Sequence, residues 1–150
     1  MKMLPSLLCV LSLLFIGVCN AETKTKFYEN GQKKSETNYK DGKKHGLMTE
    51  WHENGQMELE ANYKDGKQHG LETWWYENGQ KSWEHNYKDG KKHGPLTRWD
   101  KDGKKLWEFN FKDGEKHGLA TQWYENGQME SKTNYVDDKP HGLGSMWHEN

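Results

Sequence analysis

Five histidines, His45, His69, His93, His117 and His141, each precede a glycine and recur at a spacing of 24 residues. Imidazole binds metals and moves protons near neutral pH, so this row is the first place to look for chemistry. Two further rows keep the same period: tryptophans at 51, 75, 99, 123 and 147, and rings at Tyr39, Tyr63, Tyr87, Phe111 and Tyr135. Indoles and phenols stack on flat ligands and dominate protein interfaces. A shared metal along the histidine row fails on distance. Two strands separate successive copies, so neighbours should lie about 10 Å apart. A zinc ion holds its imidazole nitrogens at about 2.0–2.1 Å. The histidines are therefore expected to be turn residues bonded to nearby backbone, and no metal or cofactor is expected.

Catalysis finds no foothold. The chain has no glycine-rich phosphate loop, no HExxH, no CxxC and no GxSxG. Its acids and histidines recur in every copy, and a residue repeated five times is explained by the fold before it is explained by catalysis. A non-enzymatic protein is expected. The candidate binding residues are Trp51, Trp75, Trp99 and Trp123 from the tryptophan row, with Tyr63 and Tyr87 from the second row. Trp74 joins them, because it alternates to the other side of its strand and is expected to be the most exposed single aromatic.

The elements that must carry these residues are short strands. YENGQ at Tyr28–Gln32 returns as HENGQ at His52, YENGQ at Tyr76, DKDGK at Asp100 and YENGQ at Tyr124, and a further copy begins at His148. A second turn, KDGKKHG in type, starts at Lys40, Lys64, Lys88 and Lys112, with VDDKPHG at Val136. Asn-Gly and Asp-Gly between alternating sequences predict two-residue type I′ hairpins, which need positive φ at both central residues. Between the turns the pattern has period two, and no segment sustains a helical period. The expected fold is all-β: a single-layer antiparallel meander of five to six hairpin repeats, in which each unit buries apolar surface against its neighbours. One face is expected to carry both the tryptophan and the tyrosine rows, and the other to be polar. The two sets of turns should form one basic rim and one acidic rim of solvated edges.

Hydrophobic residues make up only 31% of the chain, but aromatics reach 13% and stay in phase, and the formal net charge is −1. In-phase tryptophan argues against disorder, and the near-neutral charge gives no general pull toward nucleic acid. Residues 1–21 read as a signal peptide: Lys2, an apolar run Leu7–Val18, and small residues Cys19-Asn20-Ala21 before the cut. Cleavage is expected after Ala21, with lipidation of Cys19 ranked second because Val18 is bulky for such a site. Either cut takes Cys9 away, and cleavage after Ala21 takes both cysteines, leaving no disulfide. Residues 22–26 read as a short linker and 27–150 as the array. The chain stops at Asn150 where other copies continue with glycine, so further repeats, or a bare edge strand, are expected there.

The NG(Q/K) turn followed by YxDGKxHG resembles the MORN-repeat variant, from Phe27 to Asn150. The resemblance implies a β-sheet repeat protein. Many bacterial members are labelled YwqK-like antitoxins, which implies binding to a partner protein. The function expected is thus an exported, non-enzymatic binder of an unidentified protein in the bacterial envelope or outside the cell, secreted or periplasmic, with an antitoxin- or immunity-like role as its most specific form. A glycan- or cell-wall-binding module is the alternative, since aromatic repeats with Asn-Gly turns also resemble choline-binding repeats. Attachment to a membrane surface through the lysine-rich rim ranks third.

Overall fold

The computed structural model describes residues 20–149. The signal-peptide reading up to Cys19, including both cysteines, lies outside the described residues. Among those described there is no helix, and the strands form one open antiparallel sheet. In chain order they are β1 (Ala21–Phe27), β2 (Lys33–Lys40), β3 (Lys43–Trp51), β4 (Met57–Lys64), β5 (Lys67–Trp75), β6 (Lys81–Lys88), β7 (Lys91–Trp99) and β8 (Lys105–Lys112). They continue as β9 (Glu115–Lys116), β10 (Gly118–Trp123), β11 (Met129–Val136), β12 (Lys139–Pro140) and β13 (Ser145–Met146). Each strand pairs with the next from β1 to β8. β10 then follows β8, and β11 pairs with β10, β12 and β13. The meander expected from the turns is what forms. The stretch 22–26 is not a linker: it lies inside β1, where Glu22 pairs with Tyr39 and Thr25 with Glu36. Its alternation of Thr with charged residues suits an edge strand.

The two classes of turn differ. At the aspartate–glycine turns both central residues have positive φ, as at Asp41 (50°) and Gly42 (74°), so these are type I′. Even Asp137 and Asp138 comply, at 50° and 63°. The asparagine–glycine turns do not, and the type I′ expectation fails for them. Only the glycine is left-handed, as at Gly31 (84°). The Gly31 N–H donates to the Tyr28 carbonyl at 3.0 Å and the Tyr28 N–H to the Gln32 carbonyl at 2.9 Å. This is a type I turn followed by a glycine bulge. The reason is local: Asn30 Oδ1 accepts the Gln32 N–H at 2.9 Å, which leaves the left-handed position to Gly31 alone. Asn54, Asn78 and Asn126 repeat that bond.

The faces also differ from expectation. Partners across a ladder share a face, and a two-residue turn between Lys40 and Lys43 pairs odd numbers with even ones. Tyr39 and Thr37 therefore lie with Lys44, Met48 and Glu50, while Trp51 and Thr49 lie with Glu36. The tyrosine and tryptophan rows occupy opposite faces. On the tyrosine face Met48, Leu59 and Ala61 are buried, with Tyr63 and Trp74 packed against them. On the tryptophan face the buried residues are the threonines Thr49, Thr73, Thr97 and Thr121.

With no second layer, neighbouring repeats must lock side by side. Tyr28 Oη donates to the Trp51 carbonyl at 2.7 Å, Tyr76 to Trp99 at 2.9 Å and Tyr124 to Trp147 at 2.7 Å. His52 fills the same place, with Nε2 3.0 Å from the Trp75 carbonyl. Each bond ties one asparagine–glycine turn to the chain entering the next. The opposite rim is tied by backbone, for example Gly66 N–H to the Lys44 carbonyl at 2.8 Å. The fourth copy departs: Asp100 has no phenol to offer, and its carboxylate instead accepts the N–H groups of Asp102 and Lys104, each at 2.9 Å.

Candidate functional site

The third and fourth copies place large rings where the others do not. Trp83 and Trp107 take the position held by Ser35, Leu59 and Ser131. His85 and Phe109 take that of Thr37, Ala61 and Thr133. Register puts these on the tyrosine face, with Trp74 directly opposite Trp83, Arg98 between Trp83 and Trp107, and Leu96 between His85 and Phe109. Trp83 and Trp107 meet edge to face, centroids 4.9 Å apart at 82°. Trp107 and Phe109 lie at 5.0 Å, and Trp83 and His85 at 5.4 Å. The Arg98 guanidinium lies 4.5 Å over the Trp83 ring. Such pairs contribute about 0.5–1.5 kcal/mol each beyond their area. The rings remain only partly buried, since nothing covers this face of the described residues.

Beside the indoles lies a shallow trough of about 470 Å³, lined by Glu72, Trp74, Ser82, Trp83, His85 and Lys92. Glu72 is 6% exposed, and its carboxylate accepts from Gln68 Nε2 and, at 2.8 Å, from Trp74 Nε1. His85 Nδ1 sits 3.3 Å from Tyr87 Oη, while its Nε2 is buried with no hydrogen-bond partner. Burial first, and the nearby Lys92 charge second, hold His85 down from 6.5 to about 4, so it is neutral at physiological pH. Tyr87 is pushed up, chiefly by burial, then by Glu72 and Tyr63. A second hollow of about 200 Å³, lined by Phe109, Lys116, Gln122 and Tyr135 among others, lies on the same face beyond the Trp107 ring.

The candidate residues read from sequence are split between the faces. Trp74, Tyr63 and Tyr87 lie together on the tyrosine face. Trp74 is half-buried against the Leu59 cluster instead of standing exposed on a polar face, because its partner across the ladder is Leu59 on one side and Trp83 on the other. Trp51, Trp75, Trp99 and Trp123 form a separate row on the opposite face. Lysines cover three of them: Lys33 over Trp51 at 5.6 Å, Lys81 over Trp99 at 5.9 Å and Lys105 over Trp123 at 5.8 Å. Those lysines also reach the acids of their own strand, as Lys33 to Glu36 and Lys105 to Glu108, both at 2.7 Å. This row is built like a structural ladder.

The histidines link repeats, though through side chains more than backbone. His45, His69 and His117 place Nδ1 3.2–3.3 Å from Asp65, Asp89 and Asp137, the turn aspartates of the following copies. At His93 the gap to Asp113 is 3.5 Å, and Nδ1 makes no hydrogen bond. Among the described residues no cluster of His, Cys, Asp and Glu is placed to hold a metal. Reasoning from rows passed over Trp83, Trp107 and Phe109 because they break the row pattern. The signal was present as the departure itself, in two adjacent copies.

The family described as MORN repeat variant matches residues 23–41, 44–65, 68–89 and 116–137. The matched segments leave out the copy between them, residues 92–113, which holds Arg98, Asp100, Trp107 and Phe109. That copy keeps its hairpin, β7 paired with β8, so its sequence has moved away from the family pattern while its backbone has not. No curated protein matches the chain.

Proposed function

This chain belongs to the MORN repeat variant family, and on that premise we propose that it is an exported, non-enzymatic protein that binds another protein through the tyrosine face of its third and fourth copies. An antitoxin- or immunity-like role is the specific form of this reading. The observation that carries it is the Trp83–Trp107 pair with Arg98 stacked between the strands. Partly exposed tryptophan and arginine are the residues that concentrate binding energy at protein interfaces. The indoles stand where sibling copies fold with Ser35, Leu59 and Ser131, and Arg98 stands where they have Glu50, Trp74 and Gln122, so the fold does not require them. The tryptophan row of the opposite face, clamped by lysines, serves the sheet.

A glycan reading has one observation in its favour: the trough mixes indoles with Glu72, Ser82 and His85, as a pyranose ring would require. Both are tested by purifying the tagged full chain and its Trp107→Ser variant from the native host and comparing what remains bound. A discrete protein lost in the variant supports the proposal. A bound component that is released by glycan-cleaving enzymes, with no protein lost, transfers the function to glycan. Export is tested by sequencing the amino terminus of the mature chain, which should begin at Glu22. That cut would remove the Asn20 carbonyl that accepts the Asp41 N–H at 2.9 Å.

A further inference from the structure

The charges around the indoles say what kind of segment they would receive. On the tyrosine face from β5 to β11 the cations are Lys92, Arg98 and Lys116. Lys92 lies 5.3 Å from the Phe111 ring and Lys116 lies 4.5 Å from Phe109, and among the described residues none of the three cations forms an ion pair. The acids nearest these rings, Glu72, Glu84 and Glu108, are turned away or occupied. Glu84 and Glu108 lie on the opposite face, paired with Lys81 and Lys105. Glu72 faces the trough, but its oxygens are taken by Gln68 and Trp74. The surface is therefore aromatic with cations set among and beside its rings, Arg98 at the centre and Lys92 and Lys116 to its sides, within a chain whose overall charge is close to zero.

The trough also has an unused polar atom. His85 lines the trough, and its Nε2 is buried without a partner among the described residues. If the Tyr87 hydroxyl donates to Nδ1, the remaining ring proton sits on Nε2 and awaits an acceptor. A buried donor without a partner is unfavourable, so this part of the face is not optimised for the sheet alone.

We propose that this face takes an extended acidic segment of the partner protein, its apolar side chains seated on Trp74, Trp83 and Trp107 and its carboxylates on Lys92, Arg98 and Lys116. The inference rests on the protein-binding reading above. The two hollows lie either side of the Trp83–Trp107 pair, and the span from β5 to β11 crosses five strand spacings, about 24 Å. About seven residues of extended chain cover that distance. Alternating apolar and acidic residues match it, because side chains on one side of an extended segment meet the rings while the others reach the flanking cations.

The test is selection from a displayed random 12-residue peptide library on the full chain, with parallel binding to Trp107→Ser and Arg98→Glu, both checked for folding by circular dichroism. The expected peptides alternate apolar residues with Asp or Glu. They lose binding to Trp107→Ser, bind Arg98→Glu at least tenfold more weakly, and weaken as salt rises. Peptides that depend on Trp107 but are neutral or basic would overturn the acidic-segment inference and leave the protein-binding face standing. No Trp107-dependent peptide at all would overturn both, and binding of the same face on a glycan array would then identify the ligand class.

Discussion

Tyr76→Phe removes one oxygen and nothing else, and it isolates the bond that joins repeats. The Tyr76 hydroxyl donates to the Trp99 carbonyl at 2.9 Å in a partly buried position. A neutral intramolecular hydrogen bond of this kind contributes about 1 kcal/mol net, within about 0.5–1.5. Tyr124→Phe removes the same bond at 2.7 Å to Trp147, but there the bond is exposed and water can replace it, so the cost should be below about 0.5 kcal/mol. In an array each interface supports its neighbours, so loss in the middle should also sharpen unequal melting of the two halves. The assay is urea unfolding followed by far-ultraviolet circular dichroism, with amide hydrogen exchange to locate the loss. The expected order is Tyr76→Phe weaker than Tyr124→Phe, with protection lost first around Trp99. Equal effects of the two variants, or none from Tyr76→Phe, would refute the view that these phenols lock the sheet sideways.

Two further outcomes follow from backbone and burial. Gly94 has φ of 91°, and a Cβ there would meet Asn86 Cβ at an ordinary 3.6 Å, so Gly94→Ala should cost about 1–2 kcal/mol through backbone strain and not through crowding. Urea unfolding measures it, and a neutral result would contradict the strain assigned to this backbone position. His85 takes up its proton at about 4 in the fold against 6.5 in the open chain, so between those values the unfolded chain binds a proton that the fold refuses. Stability should therefore fall as pH drops from 6.5 to 4, by on the order of 1 kcal/mol once its partial exposure is allowed for. His85→Phe, which copies Phe109, should remove that part of the slope; equal slopes in urea titrations of the two proteins would contradict the assignment.

The architecture was legible because its signals are local and repeated. Asp-Gly at Asp41, Asp65, Asp89 and Asp113 gave the right turn class, and alternation gave the strands between. Asn-Gly misled because an asparagine has two ways to stabilise a turn. Its side chain bonds the residue two further on, and that bond settled Asn30 into ordinary backbone with Gly31 alone left-handed. The assignment of faces failed for a different reason. Which rows share a face depends on register across the turn, a relation between strands that a column of matching letters does not display. Trp74 illustrates the consequence: alternation correctly set it opposite Trp75, but only pairing with Leu59 and Trp83 shows it on the packed side. The candidate site was hardest to see because it is made of exceptions. Trp83 and Trp107 answer to Ser35, Leu59 and Ser131 in sibling copies, and Phe109 to Thr37, Ala61 and Thr133, and only the sheet brings these exceptions together.

The most direct measurement places a photo-crosslinking amino acid at position 107 and, separately, at position 99 of the full chain in its native host. Position 107 lies on the face assigned to binding and position 99 on the opposite one, in the same pair of strands. The account predicts a discrete protein adduct from position 107 and none from position 99. Adducts from position 99 alone, or equally from both, would contradict it.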